Sequence, residues 1–119
     1  MEAAAAPTLP RSQRVRKRSQ FQAIQGKGKK LHTDNFLVLV LPQKVPSAPR
    51  LGITVSKKVG GAVQRNRVKR LVREAFRRKK TLFPRGLDVV FVAKRTAVGA
   101  EFDQVVREIE KLCSRHFAR

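Results

Sequence analysis

Residues 50–76, RLGITVSKKVGGAVQRNRVKRLVREAF, decide the fold because a strand pattern and a helix pattern meet within them. The segment 50–56 follows a proline-rich loop and predicts a strand that ends on two lysines. Gly60 and Gly61 then mark the turn into a helix. The apolar residues of that helix recur at i, i+3, i+4, i+7 and i+8: Val68, Leu71, Val72, Ala75 and Phe76. This spacing predicts one apolar face that docks on a sheet.

The same helix is strongly basic. Residues 62–80 carry nine Lys and Arg side chains and a single acid, Glu74. Each like-charge neighbour costs about 0.2–0.5 kcal/mol, whereas burial of an apolar side chain returns roughly 1.5–3 kcal/mol, so the helix can fold despite its charge. Arginine predominates, and its planar fork suits phosphate oxygens. A helix N-terminus after two glycines also favours an anion. We therefore interpret the charge as a phosphate-binding face in preference to a solubilising one.

Composition narrows the class of partner. The 119 residues fit one domain, and 28 basic against 8 acidic side chains give a formal charge of +20. The excess lies in residues 1–100, because residues 101–119 hold four bases and four acids. A polyanion is the simplest partner for such a chain. The longest apolar run has six residues, too few for a membrane span, and the lone Cys113 suggests a cytoplasmic protein.

Three more strands and two more helices are predicted. Strands at 29–32 and 35–41 form a hairpin around a turn at Thr33 and Asp34, and a further strand covers 87–93. The strand at 35–41 is apolar on both faces, with Phe36, Val38 and Val40 on one and Leu37, Leu39 and Leu41 on the other. Such a strand needs cover on both sides, or one face open to a ligand.

The chain termini complete the predicted organisation. Residues 1–10 form a disordered tail, and residues 11–119 form a single domain that opens with a basic arm at 11–18. A short first helix begins at Ser19 and carries Phe21. The last helix begins near residue 101, with an apolar stripe made of Phe102, Val105, Val106, Ile109, Leu112, Cys113, His116 and Phe117.

No catalytic or metal-binding group emerges from the polypeptide. Cys113 and His116 lie in the apolar stripe of the last helix, so we assign both to core packing. His32 has no second His or Cys at metal-ligand spacing. The acids outside the last helix, Glu2, Asp34, Glu74 and Asp88, form no common motif. We therefore predict no metal site and no catalytic residue in the protein.

Nucleic acid is the favoured polyanion, and RNA is favoured over DNA. A membrane surface would need the apolar helix face that the sheet already requires. A helix-turn-helix DNA reader would show several helices and no strands, whereas four strands are predicted here. The alternatives are a structural ribosomal-type or RNA-chaperone protein, and a dimeric DNA-binding regulator.

Two runs in the opening stretch resemble the bacterial ribonuclease P protein family: RLGITVSKKVG at 50–60 and RNRVKRLVREAF at 65–76. The resemblance covers roughly residues 14–117, with Phe21, Phe36 and the terminal helix in the expected order. It implies an α/β (α+β) two-layer sandwich in the order αβββαβα. This fold is similar to the second domain of ribosomal protein S5, with a left-handed βαβ crossover.

The resemblance also implies a function. The family supplies the protein subunit of ribonuclease P, whose catalytic RNA uses bound Mg²⁺ to remove the 5′ leader of precursor tRNA. The residues implied to contact the catalytic RNA are Arg65, Asn66, Arg67, Lys69, Arg70, Arg73 and Arg77. Those implied to contact the leader are Phe21, Leu37, Leu39, Lys57 and Lys58, with Leu41 as a further candidate for the floor of the cleft. The expected partners are the catalytic RNA and precursor tRNA, with no membrane, no required protein partner and no cofactor on the protein itself.

Overall fold

Four strands and two helices occupy the part of the chain that the structure, a computed structural model, describes: residues 28–43 and 46–117. In chain order they are β1 (Lys29–His32), β2 (Phe36–Pro42), β3 (Arg50–Thr54), α1 (Ala62–Lys79), β4 (Leu87–Ala93) and α2 (Phe102–His116). Short 3₁₀ turns follow α1 at Lys80–Leu82 and β4 at Arg95–Gly99. The predicted order of these strands and helices is confirmed.

The strands form one mixed sheet in the order β1–β2–β4–β3. The predicted β1–β2 hairpin is present, and its turn is closed by the Phe36 N–H, which donates to the Thr33 hydroxyl at 3.0 Å. β4 pairs antiparallel with β2 and parallel with β3. A parallel pair needs a long crossover connection, and α1 provides it between β3 and β4.

Helix α1 follows directly from the glycine pair and the basic run. It begins after Gly61, whose N–H donates to the Gln64 side-chain oxygen at 2.8 Å. Its first turn contains no acid, and its last turn contains Arg77, Arg78 and Lys79. Cations near the C-terminus oppose the negative end of the helix dipole. The basic run is therefore stabilising at that end of α1 and unfavourable at the other.

The main core lies between one face of the sheet and the two helices. Helix α1 contributes four fully buried side chains, Val68, Val72, Ala75 and Phe76. Helix α2 contributes Val105, Ile109, Leu112 and Cys113. On the sheet, the rings of Phe36 and Phe91 meet edge-to-face with centroids 5.6 Å apart. Burial of this kind offsets the repulsion along α1 several times over, as the sequence predicted.

Several residues that were placed in apolar faces are not fully buried: Leu71, Phe102, Val106 and Phe117 are half-buried, and His116 is exposed. Leu71 is half-buried and lies beside Phe102 of α2. The assignment of His116 to the core was wrong: it is exposed, since α2 ends there, one turn beyond the buried Cys113. The same assignment was correct for Cys113.

The ends of two strands differ by one or two residues from those predicted from the sequence. The strand predicted at 35–41 spans Phe36–Pro42, and the one predicted at 50–56 ends at Thr54. The predicted tail at 1–10, the basic arm at 11–18 and the first helix with Phe21 lie outside the described residues.

A buried polar pair fixes the hairpin to α2. The Glu108 carboxylate accepts a hydrogen bond from the Asn35 backbone N–H at 2.9 Å and another from the Asn35 side-chain amide at 2.5 Å. Both residues are more than 90% buried. Since buried carboxylates are costly unless they are hydrogen-bonded, this pair specifies how α2 sits against the start of β2.

Candidate RNA-binding surfaces

One surface of α1 carries the seven residues singled out from the sequence, which we call the basic face: Arg65, Asn66, Arg67, Lys69, Arg70, Arg73 and Arg77. The only acid of the helix, Glu74, is bound to Arg78 at 3.1 Å and lies 4.0 Å from Arg77. Within residues 28–43 and 46–117, Lys69, Arg70 and Arg73 form no ion pair. The basic face is therefore a run of mostly uncompensated cations held on a rigid helix.

Arg67 differs from the rest of the basic face. Its guanidinium donates to the carbonyl oxygens of Val98 at 3.3 Å and Ala100 at 3.0 Å. These carbonyls belong to the segment that joins β4 to α2. Arg67 therefore ties α1 to that segment, in addition to presenting charge at the surface.

The turn between β3 and α1 presents two more cations. Lys57 and Lys58 are exposed, whereas Val55 and Val59 on either side of them are buried. The turn is closed by the Val59 N–H, which donates to the Ser56 carbonyl at 3.1 Å. The two valines therefore anchor the turn, and the lysines project from it close to the N-terminus of α1.

The sheet has a second face, opposite the main core, whose composition follows from the strand register. Directly paired residues point to the same side of a sheet. Three rows result: Lys30, Leu39, Val90 and Gly52; His32, Leu37, Val92 and Thr54; and Leu41, Asp88 and Arg50. The predicted division of β2 into two apolar faces is confirmed, because Leu37, Leu39 and Leu41 form an apolar cluster separate from the main core.

The residues of this second sheet face differ in how much surface they expose to a ligand. Leu39 and Val90 are buried, at 3% and 0% exposure, while Leu37 and Val92 are half-buried. Lys30 is exposed at the β1 edge. Leu39, one of the predicted leader contacts, therefore supports the centre of the face, and Leu37 has more surface to present.

An ion pair closes one end of this face, and sequence reasoning did not find it. Arg50 donates to both oxygens of Asp88, each at 2.7 Å, and Gln43 donates to the same carboxylate at 3.1 Å. The hydrogen bonds that Arg50 donates to Asp88 raise the pKa of the Arg50 guanidinium. The pair joins the start of β3 to β4, which lie 38 residues apart in sequence.

The described residues with intrinsic chemical reactivity include Cys113, His32 and His116. Burial raises the pKa of the Cys113 thiol to about 12, so the nucleophilic thiolate is suppressed. His32 and His116 are exposed. Among residues 28–43 and 46–117, no three His, Cys, Asp or Glu side chains cluster as a metal site would require. No helix of these residues is long and apolar enough to cross a membrane.

Comparison with known proteins identifies the family of this chain. A family described as Ribonuclease P matches residues 9–116. The chain is 46% identical to the ribonuclease P protein component of Desulfovibrio desulfuricans, over 90% of this chain and 85% of the relative. It is 41% identical to that of Syntrophus aciditrophicus, over 91% and 90% of the two chains. The chain belongs to the ribonuclease P protein family.

Solved structures of ribonuclease P proteins share the fold. The protein from Thermotoga maritima superposes with a TM-score of 0.76 at 36% identity. The match covers 86% of this chain and 96% of the Thermotoga chain. That from Staphylococcus aureus has a TM-score of 0.78 at 32% identity, with coverage of 89% and 96%. The resemblance inferred from residues 50–76 and the α+β fold it implied are therefore confirmed. As a ribonuclease P protein, the chain is the protein subunit of an endoribonuclease that processes the 5′ leaders of tRNA.

Proposed function

We propose that this ribonuclease P protein works through two RNA-binding surfaces. The basic face of α1 binds the catalytic RNA, and the second sheet face, together with Lys57 and Lys58, binds the 5′ leader of precursor tRNA in the cytoplasm. The observation that carries the proposal is the set of cations on α1 that have no acidic partner within the described residues. Neutralisation of RNA phosphates relieves their mutual repulsion and releases counterions.

The chemistry is assigned to the RNA. Four carboxylates of the described chain are already engaged: Asp88 by Arg50, Glu108 by Asn35, Glu74 by Arg78 and Glu110 by Lys79. A carboxylate held by a cation or an amide is a poor general base and a poor Mg²⁺ ligand. The other described carboxylates, Asp34, Glu101 and Asp103, belong to no group of three potential ligands within residues 28–43 and 46–117, so the Mg²⁺ of the reaction is assigned to the RNA subunit.

The leader surface is supported by its position and its mixed character. A single strand is bound by cations that follow its backbone and by apolar or aromatic groups that contact its bases. Lys57 and Lys58 supply cations beyond the end of β3, Lys30 supplies one at the β1 edge, and Leu37 and Val92 supply half-buried apolar surface. Phe21 completes the predicted set as a stacking residue.

Reconstitution tests the function. The full chain is mixed with the ribonuclease P RNA of its own organism, and cleavage of precursor tRNA is measured at low Mg²⁺. We expect the protein to raise the cleavage rate, because its cations replace part of the charge screening that the metal otherwise provides. A chain that binds this RNA but leaves the rate unchanged would contradict the role in cleavage and would favour a purely structural RNA-binding protein.

A further inference from the structure

A small cleft lies beside the basic face, between α1 and the start of α2. Its lining consists of Arg67, Arg70, Leu71, Glu74 and Phe102, and its volume is about 240 Å³. Leu71 and Phe102 are half-buried and provide its apolar part. Pockets for drug-sized ligands hold roughly 300–1,000 Å³, so this cleft suits a smaller group.

The walls of the cleft are already held in place. Arg67 is fixed by the carbonyls of Val98 and Ala100. Glu74 accepts a hydrogen bond from Arg78, whose guanidinium lies over the Phe102 ring at 4.9 Å from its centroid. A ligand that enters the cleft therefore meets groups that have little freedom left to lose, which favours binding.

We propose that this cleft binds one unpaired nucleobase of the catalytic RNA. The Arg78 guanidinium, which does not line the cleft, occupies one part of the Phe102 ring, and the base contacts the part of the ring that does line it. Unpaired bases stack on aromatic rings and on Arg. The Glu74 carboxylate is an acceptor that matches the exocyclic amino group of cytosine, adenine or guanine. Uracil is disfavoured, because its ring N–H is flanked by two carbonyl oxygens that a carboxylate repels.

The combination of charged and apolar side chains in the cleft favours a base over other ligands. A phosphate would be attracted by Arg67 and Arg70 and repelled by Glu74, but it would gain nothing from Leu71 and Phe102, whereas a base can use the apolar and the polar walls together. Arg70 belongs both to the cleft and to the basic face, so a strand whose phosphates lie on that face can turn a base inward at this point. The inference rests on the proposed binding of catalytic RNA by α1, and it adds a base-specific contact to a phosphate-binding surface.

Equilibrium binding of the full chain to its own ribonuclease P RNA, at several salt concentrations, tests the proposal. Phe102→Leu keeps an apolar side chain and removes the stacking ring. We expect affinity to fall roughly five- to a hundredfold with the salt dependence unchanged, because stacking releases no counterions. Phe117→Leu is the matched control, since Phe117 is also half-buried but packs on Phe83 and does not line the cleft. It should leave affinity within about twofold of the wild type.

A second variant, Glu74→Gln, tests the proposal even if Phe102→Leu fails to fold. Removal of a negative charge should tighten RNA binding on electrostatic grounds alone. The proposal requires the opposite result, a loss of affinity, together with a loss of preference for oligocytidine over oligouridine. The control, Glu101→Gln, removes an exposed acid next to Phe102 that does not line the cleft, and should tighten binding slightly or leave it unchanged.

These experiments distinguish failure of the nucleobase site from failure of the proposed function. Tighter binding by Glu74→Gln, or equal effects of Phe102→Leu and Phe117→Leu, would overturn the nucleobase site and leave the basic face intact. Failure of the wild-type chain to bind the RNA at any salt concentration would instead overturn the proposed function, and the cleft proposal with it.

Discussion

Replacement of Arg67 by alanine should lower stability as well as RNA affinity, unlike replacement of its neighbours on the basic face. The guanidinium of Arg67 donates two hydrogen bonds, to Val98 and Ala100, that hold α1 against the segment before α2. Hydrogen bonds from a charged group contribute roughly 1.5–3 kcal/mol when buried, and Arg67 is exposed, so we expect a loss of about 1–2 kcal/mol in the free energy of unfolding. Such a loss lowers Tm by roughly 4–8 °C per kcal/mol in a domain of this size.

Arg73→Ala is the matched control. Arg73 lies on the same helix, carries the same charge and forms no ion pair within residues 28–43 and 46–117. Its loss should change the free energy of unfolding by less than about 0.5 kcal/mol. Urea unfolding without RNA, followed by circular dichroism, gives both values. Equal stability of the two variants would refute the view that Arg67 ties the helix to the β4–α2 segment.

Three further substitutions or treatments test individual features. Glu108→Ala should cost about 3 kcal/mol, because it leaves the buried Asn35 donors without an acceptor, whereas Glu110→Ala, at an exposed site, should cost less than about 1 kcal/mol in the same urea assay. Gly86 has φ of +86°, so Gly86→Ala should lower stability by about 1–2 kcal/mol, and an unchanged Tm would contradict the left-handed turn. Cys113 should resist alkylation at pH 8 until urea unfolds the chain, because burial raises its pKa to about 12; fast labelling of the folded chain would show that the thiol is accessible.

Local patterns explain how much of the fold was predictable. The alternation in FLVLVL separates two faces by geometry alone, and the structure assigns Phe36 and Val38 to the main core and Leu37 and Leu39 to the second cluster. The helical spacing of residues 68–76 likewise predicted the buried Val68, Val72, Ala75 and Phe76 of α1, although Leu71 is only half-buried. Both patterns involve residues that are close together in sequence, so they can be recognised without knowing which residues contact them in the fold.

Contacts between distant segments explain what was missed. The Asn35–Glu108 pair joins residues 73 apart, and nothing in the neighbourhood of either predicts the other. Arg67 appeared equivalent to the other arginines because its acceptors lie 31 and 33 residues further along the chain. The cleft at Phe102 depends on how α2 meets α1, which helical periodicity cannot specify.

The positive charge of the basic face was predictable because its cations all lie along one helix. Its sequence could not show which cations are already used inside the protein. The structure separates Arg67, which has internal acceptors, from Lys69, Arg70 and Arg73, whose charge has no acidic partner in the described ranges. RNA contacts are therefore expected to concentrate on the latter three.

The division into two RNA-binding surfaces is tested most directly by one comparison of paired variants. Arg70→Gln with Arg73→Gln, and Lys57→Gln with Lys58→Gln, are each assayed for affinity to the ribonuclease P RNA and for binding of precursor tRNA with and without its leader by the assembled complex. We predict that the arginine pair weakens assembly. The lysine pair should leave assembly unchanged and reduce the advantage of the tRNA that carries a leader. Equal effects of the two pairs on both quantities would contradict the account.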